Sequence, residues 1–405
     1  MSVTFGRTGL VGIMAVLAGV LAVVLVVVSA TQAVAATSEA FVHPGALHSA
    51  ADFDRMKGRV AEGAQPWADG WALLVKNPHA SLAWVPHPAE TVYRGADGVH
   101  PENYSALFND AAAAYALALR WRISGDDACA DKAVAILDAW SGQLTGIGGT
   151  SDRFLASGIY GYQFANAAEM LRGYRNWPAA SVTRFKAMML AVFYPMNHDF
   201  LLRHNGAKID HYWANWDLAN MASMMAIGIL ADRRDIYGEA VDYFKHGQGN
   251  GAIDHVVWKL YPGGLGQTQE SGRDQGHNTL NVALLGAICQ MAWNQHDDLF
   301  GYDDDRVLKG VEYIARYNQG FDVPYTPYRN SDVTQDVISS NGRGDKRPVW
   351  ELFYNHYVVL KKRDAPSLSQ AAKQVRPEGG GGNYGPNSGG FDQLGYGTLT
   401  YTLKE

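Results

Sequence analysis

Only two cysteines, Cys129 and Cys289, occur among the 405 residues. Both sit in apolar stretches of helical period, and neither a CxxC pair nor a metal-ligand spacing is formed. A dense disulfide framework, a thiolate metal cluster and a dithiol redox centre are thereby excluded. The two thiols are read either as one bridge or as two buried free groups. Basic charge is short as well. Lys and Arg number 34 against 40 Asp and Glu, a formal net charge of −6, so no nucleic-acid partner is expected. By the same balance, an acidic substrate demands a cleft that is locally positive. Beyond Val28 no apolar run is long enough to cross a bilayer. HExxH, a P-loop, GxGxxG behind a strand and the GxSxG elbow are all missing. The 13 histidines are scattered rather than grouped. No metal and no redox cofactor is expected, which leaves acid–base chemistry on polar side chains.

What is present begins at the N-terminus. Arg7 precedes an apolar run over residues 10–28, and Ala33-Val34-Ala35-Ala36 follows. This pattern reads as a secretory signal peptide over residues 1–36, cut near Ala35 or Ala36. An uncleaved anchor is the alternative, since the run can span a bilayer. Either way the remainder is expected outside the cytoplasm, secreted or periplasmic, without membrane contact after cleavage and without an obligate protein partner. Residues 37–405 are read as a single domain, with a glycine-rich loop over 379–390.

Helical periodicity dominates that domain. Residues 49–63, 103–125, 131–144, 157–174, 181–196, 213–232, 234–246, 277–294, 304–317 and 349–361 read as amphipathic or buried helices. There is no alternation of strands and helices and no series of hairpins. Residues 396–402 alternate in a strand-like way. Successive antiparallel helix pairs in one long domain predict an all-α fold, an α/α toroid with loops at one end forming a cleft. A solenoid would need a fixed sequence period, and none is seen. Eleven tryptophans and 21 tyrosines suit a sugar-binding cleft, although a large helical core uses aromatics too.

Four segments carry candidate chemistry. In the segment from Asp210 to Asn220, Tyr212, Asn215 and Trp216 share one helix face by spacing. An inward-facing Asn among aromatics needs a hydrogen-bond partner; the plainer reading is a capping Asp210 above core tryptophans. From Gln267 to Asn278, Arg273 and His277 stand four apart and so share a face. Two potential cations side by side are unfavourable unless an anion, such as a substrate carboxylate, sits between them. Surface pairs Arg273–Glu270 and His277–Asp274 are the plainer reading. Gln269 and Gln275 flank them. From Asp322 to Asn330 a proline-stiffened loop presents Tyr325, Tyr328 and Arg329. Tyr160, at a helix start in the segment from Ser157 to Gln163, is the fourth candidate, with core packing as its plainer reading, and His211 beside Tyr212 is a further sugar contact.

These same residues carry a resemblance. "YGYQFANAAEML" from Tyr160, "HYWANWDLANM" from His211, "ADRRDIY" from Ala231, "QESGRDQGHNTL" from Gln269 and the terminal "GGFDQLGYGTLTY" occur in an order that resembles the alginate-lyase family of polysaccharide lyases, from His43 to the end. The resemblance implies an α/α toroid and β-elimination at a uronic acid, without a metal. It implies that Asn215 is the carboxylate-neutralising amide, Arg273 the active-site arginine and His277 the family's histidine. Two departures mark a separate branch. Ile209-Asp210-His211-Tyr212-Trp213 replaces the Asn-Asn-His-Ser-Tyr-Trp run of better-known members, and Leu280 stands where those place a tyrosine. In the expected mechanism Asn215 and Arg273 stabilise the enolate-like intermediate, and His277 takes the C5 proton. Tyr325 protonates the departing O4, with Tyr328 and Tyr160 as substitutes; alternatively one Tyr performs both transfers while His277 helps to neutralise the carboxylate. Two other functions fit the same pattern. A glycoside hydrolase on a uronic-acid oligomer would need a carboxyl pair drawn from Asp217, Glu270 and Asp274. A secreted sugar-binding protein would use Asn215, Arg273 and His277 only to bind.

Overall fold

Ser49 starts the first helix, α1 (Ala50–Ala61), by accepting the Asp52 amide while the Asp52 carboxylate reaches back to the Ser49 amide. The computed structural model describes residues 40–382 and 391–404, so the expected signal peptide lies outside the described residues. After α2 (Trp67–Lys76) come α3 (Tyr104–Ser124), α4 (Asp127–Ser141), α5 (Arg153–Met170), α6 (Ala179–Met188), α7 (Tyr194–Arg203), α8 (Ala214–Leu230), α9 (Arg234–His246), α10 (Ile253–Val256), α11 (Gln275–Asn294) and α12 (Tyr302–Asn318). The short α13 (Glu351–Phe353), α14 (Pro366–Val375) and α15 (Gly397–Tyr401) complete the chain.

Which helices lie inside follows from their residues. Helices α3, α5, α8 and α11 are apolar or small on nearly every side and almost wholly buried, as a helix in the centre of a large core must be. Helix α9 keeps one polar face and lies outside. Among the inner four, α3 packs on α5, α5 on α8 and α8 on α11. The contact of α5 with α8 is close because two glycines allow it. A Cβ on Gly158 would sit 2.7 Å from the Ala219 carbonyl carbon, and one on Gly161 would sit 2.2 Å from Ser223 Oγ. The ring closes where Gly286 of α11 meets Leu352 and Phe353 of α13, and where α15 joins α13 to α1 and α1 joins α3. The result is an α/α toroid with α4, α6, α9 and α12 around it, and residues from Ala40 onward form one unit.

Three ribbons of two strands lie in the connections: β1 (Thr91–Arg94) parallel to β2 (Gly146–Gly149), β3 (Lys259–Tyr261) antiparallel to β4 (Leu265–Gln267), and β5 (Tyr328–Arg329) antiparallel to β6 (Thr334–Gln335). They are too short to show a periodicity in the sequence. The expected strand over 396–402 is corrected to a helix. Thr398, Leu399 and Thr400 are all fully buried, so alternation there did not separate an inner from an outer face. The threonine hydroxyls instead donate back to carbonyls one turn earlier, Thr400 to Tyr396 at 3.0 Å and Thr402 to Thr398 at 2.7 Å. Helix α5 begins four residues before the expected Ser157, whose hydroxyl is inside the core and donates to the Phe193 carbonyl. Both cysteines are buried and free. Among the described residues no helix is long and apolar enough to cross a membrane.

Candidate active site

The first turns of α5, α8 and α11 open onto one cavity of about 260 Å³. It is lined by Asp152, Leu155 and Ile159 from α5 and its start, Asn215 and Trp216 from α8, and His277 and Leu280 from α11. Arg94 from the end of β1, Arg273 and Asp392 complete the wall. Helix N-termini carry unsatisfied N–H groups and a partial positive charge. Arg94 and Arg273 bring two guanidinium groups to this wall, beside the carboxylates of Asp152 and Asp392.

The two central motifs are locked together by a buried carboxylate. Glu270 is fully buried. It accepts the Asn215 backbone N–H at 3.0 Å, the Asn215 Nδ2 at 2.8 and 2.9 Å, and Arg273 Nη1 at 2.8 Å. Beside it, Gln269 Oε1 accepts the Ala214 amide at 3.1 Å. The segment before α11 therefore caps the start of α8 from outside. The Arg273–Glu270 pair anticipated on the surface does exist, but it lies in the interior, where a partner's removal leaves an uncompensated charge.

Asp274 caps α11 and orients the histidine at the same time. Its Oδ1 accepts the His277 amide at 2.8 Å and its Oδ2 lies 2.7 Å from His277 Nδ1. Burial opposes the charge of Asp274, but its bonds to His277 and the neighbouring Arg273 outweigh this and hold the carboxyl below its ordinary value. An ionised carboxylate accepts only, so Nδ1 carries the hydrogen and Nε2 is left as the acceptor. Arg273 Nη2 lies 3.2 Å from that Nε2, and its guanidinium stacks over Trp213 at 4.6 Å.

The opposite wall was not foreseen from sequence. Arg94 Nη1 donates to the Tyr160 hydroxyl at 3.1 Å, and the guanidinium lies over the Tyr104 ring at 5.0 Å. Burial pushes the Tyr160 hydroxyl well above its ordinary value, with Arg94 opposing. Asp392 is tied to the buried Arg347, whose Nη2 donates to its Oδ2 at 2.8 Å while Nη1 donates to the Gly276 carbonyl at 2.7 Å. Arg347 thus joins the C-terminal segment to the residue before His277.

Of the residues nominated from sequence, Asn215, Trp216, Arg273 and His277 line the cavity, and Tyr160 stands behind it under Arg94. Tyr325 is not among the lining residues, and its hydroxyl donates to the Gln335 carbonyl at 2.9 Å. Burial, then Tyr261 and Asp336, push that hydroxyl up to about 12. Tyr328 is buried and donates to Asn250 at 3.4 Å. His211 is exposed, 2.7 Å from Asp332, and Tyr212 accepts from Asn205 at 3.1 Å. Arg329 is exposed and pairs with Asp336. Gln275 holds loop and helix backbone together, donating to the Ser339 carbonyl at 2.9 Å and accepting from Asn318 at 3.0 Å. Arg94 and Asp392 were missed because one sits on a four-residue strand and the other far along the chain; only the "GGFDQLGYGTLTY" motif pointed to the latter. Leu280 gives the cavity an apolar wall where better-known members of the resembling family carry a tyrosine.

The carboxyls considered for hydrolysis are engaged elsewhere. Asp217 lies outside the cavity lining, bonded to His204 at 3.1 Å, Tyr243 at 3.1 Å and the Gly251 amide at 2.9 Å. Glu270 and Asp274 hold Asn215, Arg273 and His277 as described.

Solved structures that share this fold include alginate lyases. One from Bacteroides ovatus has a TM-score of 0.59 at 13% identity, covering 90% of this chain and 100% of its own. A histidine-to-alanine variant of alginate lyase A1-III complexed with tetrasaccharide has a TM-score of 0.62 at 14% identity, covering 91% and 98%. Alginate lyase A1-III from Sphingomonas species A1 has a TM-score of 0.56 at 13% identity, covering 90% and 98%. No curated protein matches the chain significantly. With its toroid and its family, the chain is a polysaccharide lyase. It belongs to the alginate lyase family, whose model, described as alginate lyase, matches residues 75–322. That stretch holds every residue lining the cavity except Asp392.

Proposed function

We propose that the protein cleaves a uronic-acid polymer, alginate first among candidates, by metal-independent β-elimination in this cavity. The observation that carries the reading is the convergence of Asn215, Arg273 and His277 on one cavity, with Asp274 fixing the imidazole tautomer. The C5 proton of a uronate is a weak acid because the adjacent carboxylate is already negative. Arg273 supplies the countercharge for the enolate-like intermediate, and Asn215 a neutral donor. Glu270 lies almost equally far from Asn215 Nδ2 with both oxygens, a three-centre contact that one hydrogen can make, leaving the second for a ligand. Donors that strengthen as charge develops lower the barrier; one such donor is worth about two to three powers of ten in rate. His277 Nε2 takes the C5 proton. Among the described residues lining the cavity, His277 is the one histidine. When C5–H and O4 lie on one face of the sugar, the same imidazolium returns the proton to O4.

The residues before Ala40 fit export of the enzyme to where such polymers occur. Mass spectrometry of the digestion products tests the reaction. Elimination adds no water, so the products sum to the mass of the polymer; products heavier by one water per cut would show hydrolysis and refute the proposal.

A further inference from the structure

His277 Nε2, the atom assigned to proton removal, is occupied in the free protein. Asp274 accepts a hydrogen bond from Nδ1–H, so the contact at 3.2 Å is a hydrogen bond donated by Arg273 Nη2 to the Nε2 lone pair. The guanidinium is held in that position on two other sides, by Glu270 at 2.8 Å and by the Trp213 ring at 4.6 Å. A lone pair that accepts from a cation is a weak base. A guanidinium donates more strongly to a carboxylate than to a neutral nitrogen, and it binds a carboxylate through paired N–H groups.

We infer that Arg273 is a substrate-operated cap on the catalytic base: a uronate carboxylate entering the cavity draws Nη2 to itself and frees His277 Nε2, so that sugar units with a free carboxylate are cut and esterified units are not. The inference rests on the lyase reading and adds a specificity device to it. Chemistry alone predicts the opposite preference, because esterification removes the negative charge beside C5 and makes its proton more acidic. If Arg273 only neutralised charge, the ester would be cut as well.

The test follows the Nε2 resonance of His277 in protein labelled with ¹⁵N-histidine. In the free wild type it should show an accepted hydrogen bond that Arg273→Gln lacks. Adding D-mannuronate should move it to the position seen in Arg273→Gln, and adding the methyl ester should not. One Nε2 position in wild type and variant, or equal shifts with acid and ester, would overturn the cap. The wild-type titration decides the matter alone if the variant does not fold. In parallel, polymannuronate and its methyl ester are given to the wild type and unsaturated product is read by ultraviolet absorbance. The acid should be preferred by at least about 100-fold, the effect of one such donor. Equal cleavage overturns the cap and leaves elimination standing. No unsaturated product from any uronic-acid polymer refutes the lyase reading instead, and the resonance still decides whether the base is capped.

Discussion

Replacing Asp274 by Asn separates the two tasks of that residue. Its Oδ1 caps α11 through the His277 amide at 2.8 Å, and its Oδ2 holds His277 Nδ1 at 2.7 Å. Asn is as good an N-cap as Asp, so the helix should lose less than about 1 kcal/mol. The amide nitrogen of Asn donates, however, and facing Nδ1 it favours the tautomer with hydrogen on Nε2, which is no base. Where a carboxylate orients a catalytic histidine in serine proteases, the Asp-to-Asn change lowers kcat about 10⁴-fold. For Asp274→Asn we expect a fall in kcat of about 10²- to 10⁴-fold, roughly 3–5 kcal/mol of barrier, with KM little changed because Arg273 and Asn215 remain. Asp274→Ser keeps a cap without reaching the ring and should lose kcat similarly. The assay is steady-state appearance of unsaturated product, with thermal unfolding run alongside. An Asp274→Asn enzyme within about threefold of wild-type kcat would refute the assignment of Nε2 as the base.

Tyr325→Phe should leave kcat within about threefold, losing only the bond to Gln335, about 1 kcal/mol of stability; a loss of about 100-fold in kcat would restore Tyr325 as the proton donor. Gly158→Ala should destabilise by about 1–3 kcal/mol, since its Cβ would meet the α8 backbone at 2.7 Å; an unchanged melting temperature would contradict the close α5–α8 contact. Burial, then the charge of Glu351, push the Glu378 carboxyl up to about 8. A carboxyl raised on folding favours the protonated native state, so its contribution is complete below the unfolded value, about 4.3, and is lost as pH rises toward 8. Glu378→Gln should therefore flatten the decline in unfolding free energy between those limits, and a decline as steep as in wild type would refute the assignment.

The toroid was legible because its inner helices must be apolar all round, and α3, α8 and α11 follow the sequence pattern to within a few residues. Helices α5 and α4 each begin four residues before their expected starts; α5 has no side-chain cap to mark it, whereas α4 is capped by Asp126, whose carboxylate accepts the Ala128 amide at 3.1 Å. The terminal helix α15 was read as a strand because burial on every side makes alternation uninformative. At the site, Asn215, Arg273 and His277 were legible because polar groups in an apolar neighbourhood need a reason. Glu270 was read as a surface partner, since nothing in a local spacing shows that Asn215 lies across from it. Arg94, Asp392 and the supporting Arg347 depend on contacts between distant segments, which no periodicity records.

The most direct test of the whole account follows ultraviolet absorbance of 4,5-unsaturated ends while wild type, Asn215→Ala and His277→Ala are incubated with polymannuronate, polyguluronate and glucuronan. The account predicts a rise with the wild type on at least one polymer, reduced about 100-fold or more in each variant. A rise that survives in His277→Ala, or no rise on any polymer with folded wild type, would contradict it.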